Sequence, residues 1–159
     1  MSTLWHEVWR GVQNDFADLP GMAEVTQIVL RLLLAALLGG LVGFQREQAG
    51  KAAGLRTHML VAIGSAFFVM IPHQAGMSIA DLSRVLQGII TGVGFLGAGT
   101  ILKRPAEEHI EGLTTAAGLW LTAAVGAAAG MGREASAVLG TVLAFLILAL
   151  LPRINSRKS

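Results

Sequence analysis

No cysteine occurs in the chain. That excludes a disulfide framework, thiol chemistry and a cysteine metal site, and leaves the compartment open. Charge is also scarce, at 14% of residues against about 25% in soluble domains. Catalytic signatures are missing too: there is no phosphate loop of Walker type, no HExxH, no GxSxG and no pair of metal ligands at helical spacing. We therefore expect no enzyme. The small basic surplus, 12 Lys and Arg against 10 Asp and Glu, lies in loops between apolar stretches and makes no nucleic-acid patch, so no nucleic-acid partner is expected.

What is abundant is apolar surface, 53% of residues with a mean hydropathy of +0.64. Five separate stretches produce it, which predicts an all-α membrane protein: a bundle of about five transmembrane helices in a single membrane domain over 25–152. The expected spans are 25–44, 54–72, 85–102, 113–131 and 135–151. Residues 1–24 lack the basic start and apolar run of a signal peptide. Leu4, Trp5, Val8, Trp9, Val12, Phe16 and Leu19 recur there at helical spacing, as in a helix lying in the membrane interface until Pro20-Gly21 breaks it; a loosely ordered tail is the other reading. Residues 153–159 read as a basic cytoplasmic tail.

Small residues mark the expected contact faces. Ala35, Gly39 and Gly43 recur every fourth residue in the first span, Gly118, Thr122, Gly126 and Gly130 in the fourth, and Ser136, Gly140 and Ala144 in the fifth. The third span holds Gly88, Gly92, Gly94, Gly97 and Gly99. It is uncharged for about 18 residues from Val85, a length of about 27 Å against a hydrocarbon core of roughly 30 Å. So many glycines predict a helix touched on several sides, at the centre of the bundle.

Lys and Arg set the orientation. With five spans, one side holds Arg10, Arg84 and Arg133, and the other holds Arg46, Lys51, Arg56, Lys103, Arg104, Arg153, Arg157 and Lys158. The second group, and with it the carboxyl terminus, is expected in the cytoplasm. The second span is the thinnest, because its apolar part runs only from Met59 to Ile71; a re-entrant segment there would reverse whatever precedes it.

Polar residues gather at two levels. On the outer side lie Arg31, Asp81, Arg84 and, one turn further in, Gln87. Arg31 and Asp81 should share a depth, which predicts a buried ion pair, since an intramembrane charge usually has a partner. On the cytoplasmic side lie Gln45, Arg46, Glu47, Arg56, Thr57, His58, Glu111, Thr114 and Thr115. Spans two and four both begin there, so their positive helix ends, beside Arg46 and Arg56, offer a place for an anion. Alternatively, Thr57, Thr114 and Thr115 cap their helices while the arginines meet lipid phosphates. Glu47, Asp81 and Glu111 are the carboxylates available to a hard cation such as Mg²⁺. His58 reads as a helix-end polar residue, His73 and His109 as loop residues, and Trp120 as packing.

Four ordered segments, GGLVGFQRE (39–47), AGLRTHMLVAIGSAFF (53–68), DLSRVLQGIITGVGFLGAGTIL (81–102) and GLTTAAGLWLTAAVGAAAGMG (112–132), together resemble the MgtC/SapB family of bacterial inner-membrane proteins. The pattern is carried by Arg46 and Glu47, by Gly54, Leu55, Arg56, Thr57 and His58, by Asp81, Arg84 and Gln87, by the glycines of GFLGAG, and by Gly112, Leu113, Thr114 and Thr115. Gln45 and Leu82 depart from it, standing where the family usually has Glu and often has Pro. The first departure removes a second carboxylate from the end of span one. The resemblance implies about five membrane helices, a cytoplasmic carboxyl terminus, and the short form without the soluble domain of longer members. It also implies a role in growth at low magnesium and in virulence. Regulation of another membrane protein is the expected mechanism, with a small transporter or channel for an ion such as Mg²⁺ as the alternative. No cofactor is expected beyond Mg²⁺, and the expected partners are the bilayer and either another membrane protein or a second copy of the chain.

Overall fold

The apolar stretches fold into helices bounded by local signals. A computed structural model describes residues 2–15, 21–103 and 110–155. The elements are α1 (Ser2–Asp15), α2 (Met22–Gln48), α3 (Leu55–Gln74), α4 (Ile79–Gly99), the two-residue strands β1 (Leu102–Lys103) and β2 (Ile110–Glu111), α5 (Leu113–Gly130) and α6 (Glu134–Asn155). Phe16, Leu19, Pro20, Arg104, His109, Arg157 and Lys158 lie outside the described residues. Residues 1–30 form one compact unit and 31–159 a second. In the first, α1 carries Leu4, Trp5, Val8, Trp9 and Val12 on one helical stripe, as the periodicity predicts. The rest of the description concerns the second unit.

Helices α2 to α5 are each long and apolar enough to cross a membrane, and α6 contributes a shorter apolar helix over Glu134–Ala149. The protein is an all-α, multi-pass membrane bundle. Helix α3 continues unbroken through Pro72 to Gln74, so His73 belongs to its last turn and not to a loop. At about 1.5 Å per residue its 20 residues reach about 30 Å. Helix α4 starts six residues before the expected span, because Ser78 caps it: the Ser78 hydroxyl accepts from the Asp81 N–H at 3.2 Å and donates to the Asp81 carboxylate at 2.7 Å. It ends at Gly99, after which β1 pairs antiparallel with β2, Leu102 opposite Glu111 and Lys103 opposite Ile110. Helix α5 closes on Gly132, whose φ of +70° suits glycine; the Arg133 N–H bonds back to the Ala128 carbonyl at 2.9 Å, and α2 and α3 end in the same pattern. Such short turns make consecutive helices antiparallel.

The interior is built from small side chains and the exterior from large ones, including the outward-facing Leu33, Leu37, Phe68, Leu139 and Ile147. Lipid is as apolar as leucine, so close packing and not expulsion of water holds such helices together. The faces expected on α2 and α5 are the ones used. A methyl group on Gly39 would sit 2.7 Å from both the Ala62 Cβ and the His58 carbonyl oxygen, and one on Gly126 would collide with the Ala62 carbonyl of α3. On α6 the buried face is Ala137, Thr141, Ala144 and Leu148, sharing only Ala144 with the expected one; Ser136 faces out and Gly140 is half-buried.

The expected centre is wrong. Helix α5 is the hub, burying Thr115, Gly118, Leu119, Thr122, Ala123, Val125, Gly126, Ala127, Ala129 and Gly130, with α3, α4 and α6 packed around it. Helix α4 lies at the periphery and buries only Leu82, Ile89, Val93 and Gly97. Among the described residues, a methyl group on Gly88, Gly92, Gly94 or Gly99 would meet nothing within 4 Å; only Gly97 is in contact, 3.3 Å from the Ala116 Cβ. The reason is geometric. Ile89, Val93 and Gly97 lie four residues apart and face α5, leaving most of the glycines on the opposite side of the helix.

Candidate functional site

Where α2 and α6 end and α3 and α5 begin, polar side chains enter the bundle. Arg46 lies three residues after Gly43, on the face that packs α2 into the protein, and is only 4% exposed. Its Nη2 donates to the Thr115 hydroxyl at 3.0 Å, a bond from the last turn of α2 to the first turn of α5. His58, one turn into α3, is fully buried, with Nδ1 2.8 Å from the Thr122 hydroxyl. The Thr122 hydroxyl also lies 2.8 Å from the Gly118 carbonyl, so it links the His58 ring to the backbone of α5. A methyl group on Gly118 would only touch the ring, 3.6 Å from the His58 Cε1, an ordinary contact. Gln45 donates to the Leu148 carbonyl of α6 at 3.1 Å. That carbonyl would otherwise bond the amide four residues on, which is Pro152 and has no N–H.

Three buried polar atoms of this layer have no hydrogen-bond partner among the described residues: Gln45 Oε1, Arg46 Nε and His58 Nε2. Buried polar atoms are usually paired, so such orphans mark places where a ligand, water or partner group can be received.

Glu47 has another task. Its Oε2 accepts the Leu55 N–H at 2.8 Å at the start of α3, where the cap residue Gly54 has no side-chain oxygen to offer. The anion expected at that positive helix end is therefore supplied by the chain itself. Helix α5 likewise begins on a glycine, Gly112 at φ +95°, packed against the Thr100 carbonyl. Neither helix is capped by a threonine: Thr115 is spent on Arg46, while Thr57 and Thr114 face outward, as does Arg56.

The outer level is rearranged. Arg31 does not pair with Asp81. Its Nε lies 3.8 Å from a Glu134 carboxylate oxygen at the start of α6, and its Nη1 lies 3.4 Å from the Gly130 carbonyl. Asp81 is held by Ser78 on the peripheral helix, too far round the bundle to reach. Arg84 and Gln87 face outward on α4. The three candidate carboxylates do not converge, because Glu47 touches the beginning of α3 and Asp81 follows its end, about 30 Å away; Glu111 is exposed on β2. Among the described residues no group of three His, Cys, Asp or Glu is placed to hold a metal ion.

Sequence reasoning thus found Gln45, Arg46, His58 and Thr115, and missed Thr122. Thr122 was legible only as a packing residue, although it stands seven residues after Thr115 on the same face of α5.

The MgtC family model matches residues 32–157, which holds every residue of this layer. The chain is 48% identical over 129 residues to the protein SrpB of Synechococcus elongatus, covering 74% of this chain and 71% of that one. It is 45% identical over 144 residues to the protein MgtC of Brucella abortus, covering 91% of this chain and 54% of the relative. It is 39% identical over 138 residues to YhiD of Escherichia coli, whose name assigns it magnesium transport only provisionally; here the shares are 82% and 63%. The chain thus spans between about half and about two thirds of these relatives' length. No solved structure matches. The chain belongs to the MgtC family.

Proposed function

We propose that the protein is a non-enzymatic regulator of another membrane protein, serving adaptation to low magnesium and, with it, virulence. In this reading it sits in the bacterial inner membrane with its carboxyl terminus in the cytoplasm, as the excess of Lys and Arg on that side suggests. Magnesium enters through the relatives, one of which carries magnesium transport in its name.

The observation that supports regulation is the outward side of α4. Gln87, Gly88, Thr91, Gly92 and Gly99 are exposed there, around one large side chain, Phe95, on a helix long enough to cross the membrane. A side meant for lipid gains from large aliphatic groups, and glycine offers none. A side meant for another helix gains from glycine, which lets two backbones approach, and from amides that can bond across the contact. A path for Mg²⁺ is less well served, because the buried polar layer contributes the cation Arg46 while Glu47 is turned to Leu55.

The test uses a bacterium lacking its own MgtC-family gene and grown at low magnesium. The parent chain should restore growth and give no Mg²⁺ flux in proteoliposomes. Gly92→Leu should insert and melt like the parent yet fail to restore growth. Saturable Mg²⁺ flux from the purified parent would replace the regulator by a transporter.

A further inference from the structure

Between α4 and α5 runs a second feature, separate from the buried polar layer. It is an apolar groove of about 490 Å³, walled by Ile89 and Val93 on one side and by Trp120 and Ala127 on the other, with Arg133 and Ser136 at one end. Trp120, expected to be packing, is half exposed there.

The dimensions select the occupant. From Trp120 to Met131, both of which line the groove, α5 advances about 16 Å. That is about half of a hydrocarbon core of roughly 30 Å, so the groove runs the depth of one leaflet, from mid-membrane to the α5–α6 turn. The length is that of one lipid acyl chain running from headgroup level to mid-membrane.

Charge selects the rest. Arg133 is exposed at the open end, and among the described residues it has no ion-pair partner. The adjacent carboxylate, Glu134, is turned toward Arg31 at 3.8 Å and does not compensate Arg133. The Ser136 hydroxyl stands beside it. A basic residue at headgroup depth above an apolar slot one leaflet long matches an anionic phospholipid, phosphate on the cation and tail in the slot.

We propose that this groove is a binding site for one acyl chain of an anionic phospholipid whose phosphate is held by Arg133. The test uses the full chain with Trp5→Phe and Trp9→Phe, both in α1, leaving Trp120 as the only tryptophan. The protein is reconstituted in phosphatidylcholine vesicles containing increasing fractions of lipid brominated on the acyl chain, which quenches a tryptophan in contact with it. Brominated phosphatidylglycerol should reach half-maximal quenching at a mole fraction at least threefold below that of brominated phosphatidylcholine with the same chains. Arg133→Gln should abolish the difference, whereas Arg133→Lys, which keeps the charge, and Arg56→Gln, which removes an exposed arginine at the opposite end of the bundle, should preserve it. Equal curves for the two lipids in the parent, or a preference surviving in Arg133→Gln, would overturn the headgroup assignment. Absence of quenching by either lipid would overturn the site, since the slot would then be closed to lipid by protein.

Discussion

Substituting Gly126 by Ala tests whether α3 and α5 are held at backbone contact. The added methyl would overlap the Ala62 carbonyl oxygen and lie 2.7 Å from the Ala62 Cα and 2.8 Å from its carbonyl carbon. All three are backbone atoms of α3, so no side chain can swing away and the helices themselves must separate. Carbon atoms at rest lie about 3.5–4.0 Å apart, so the separation needed is about 1 Å. Overpacking costs about 1–3 kcal/mol, and a collision with backbone belongs at the upper end. Alanine's better helix preference returns about 1 kcal/mol. The net loss is about 2 kcal/mol, or about 30-fold in the folding equilibrium. Gly88→Ala is the matched control, since it makes the same chemical change where nothing lies within 4 Å. Unfolding both variants in mixed micelles of increasing denaturing detergent, followed by far-ultraviolet circular dichroism, gives the difference directly. Equal stabilities for Gly126→Ala and Gly88→Ala would show that the helices are not in contact at Gly126, and the placement of α5 as the hub would fall with it.

Two further outcomes are expected. A double-mutant cycle between Arg31→Leu and Glu134→Gln should give a coupling of about 0.2–1 kcal/mol, because the side chains are 27% and 53% exposed; the cycle between Arg31→Leu and Asp81→Asn should give none. Thr115→Val keeps the shape of the side chain but leaves the buried Arg46 Nη2 without its acceptor, costing about 1.5–3 kcal/mol in the same detergent titration, and Thr115→Ser should restore most of it.

The sequence by itself determined the membrane class and two of the packing faces, while of the five apolar spans it expected four are long enough to cross and the fifth, over Glu134–Ala149, is shorter. These are local or periodic properties. Scarce charge and long apolar runs follow from the solvent the chain must meet, and Ala35, Gly39, Gly43 or Gly118, Thr122, Gly126, Gly130 share a face simply because a helix repeats nearly every fourth residue. Only the tertiary structure decided which small-residue face finds a neighbour. Helix α4 is the richer in outward glycine, yet α5 became the hub, because its glycines face α3 and its buried alanines extend the small surface beyond that face, while the glycines of α4 mostly face away from the bundle. Only the tertiary structure, too, chose among possible polar partners. Arg31 had two carboxylates at plausible depth, Asp81 and Glu134, and the order of helices around α5 put α6, not the start of α4, beside it. His58 and Thr122 stand 64 residues apart, and no spacing along the chain announces their hydrogen bond. It exists because Gly39 on one side and Gly126 on the other draw α2 and α5 onto α3, closing a space in which the imidazole must find its partner from a facing helix.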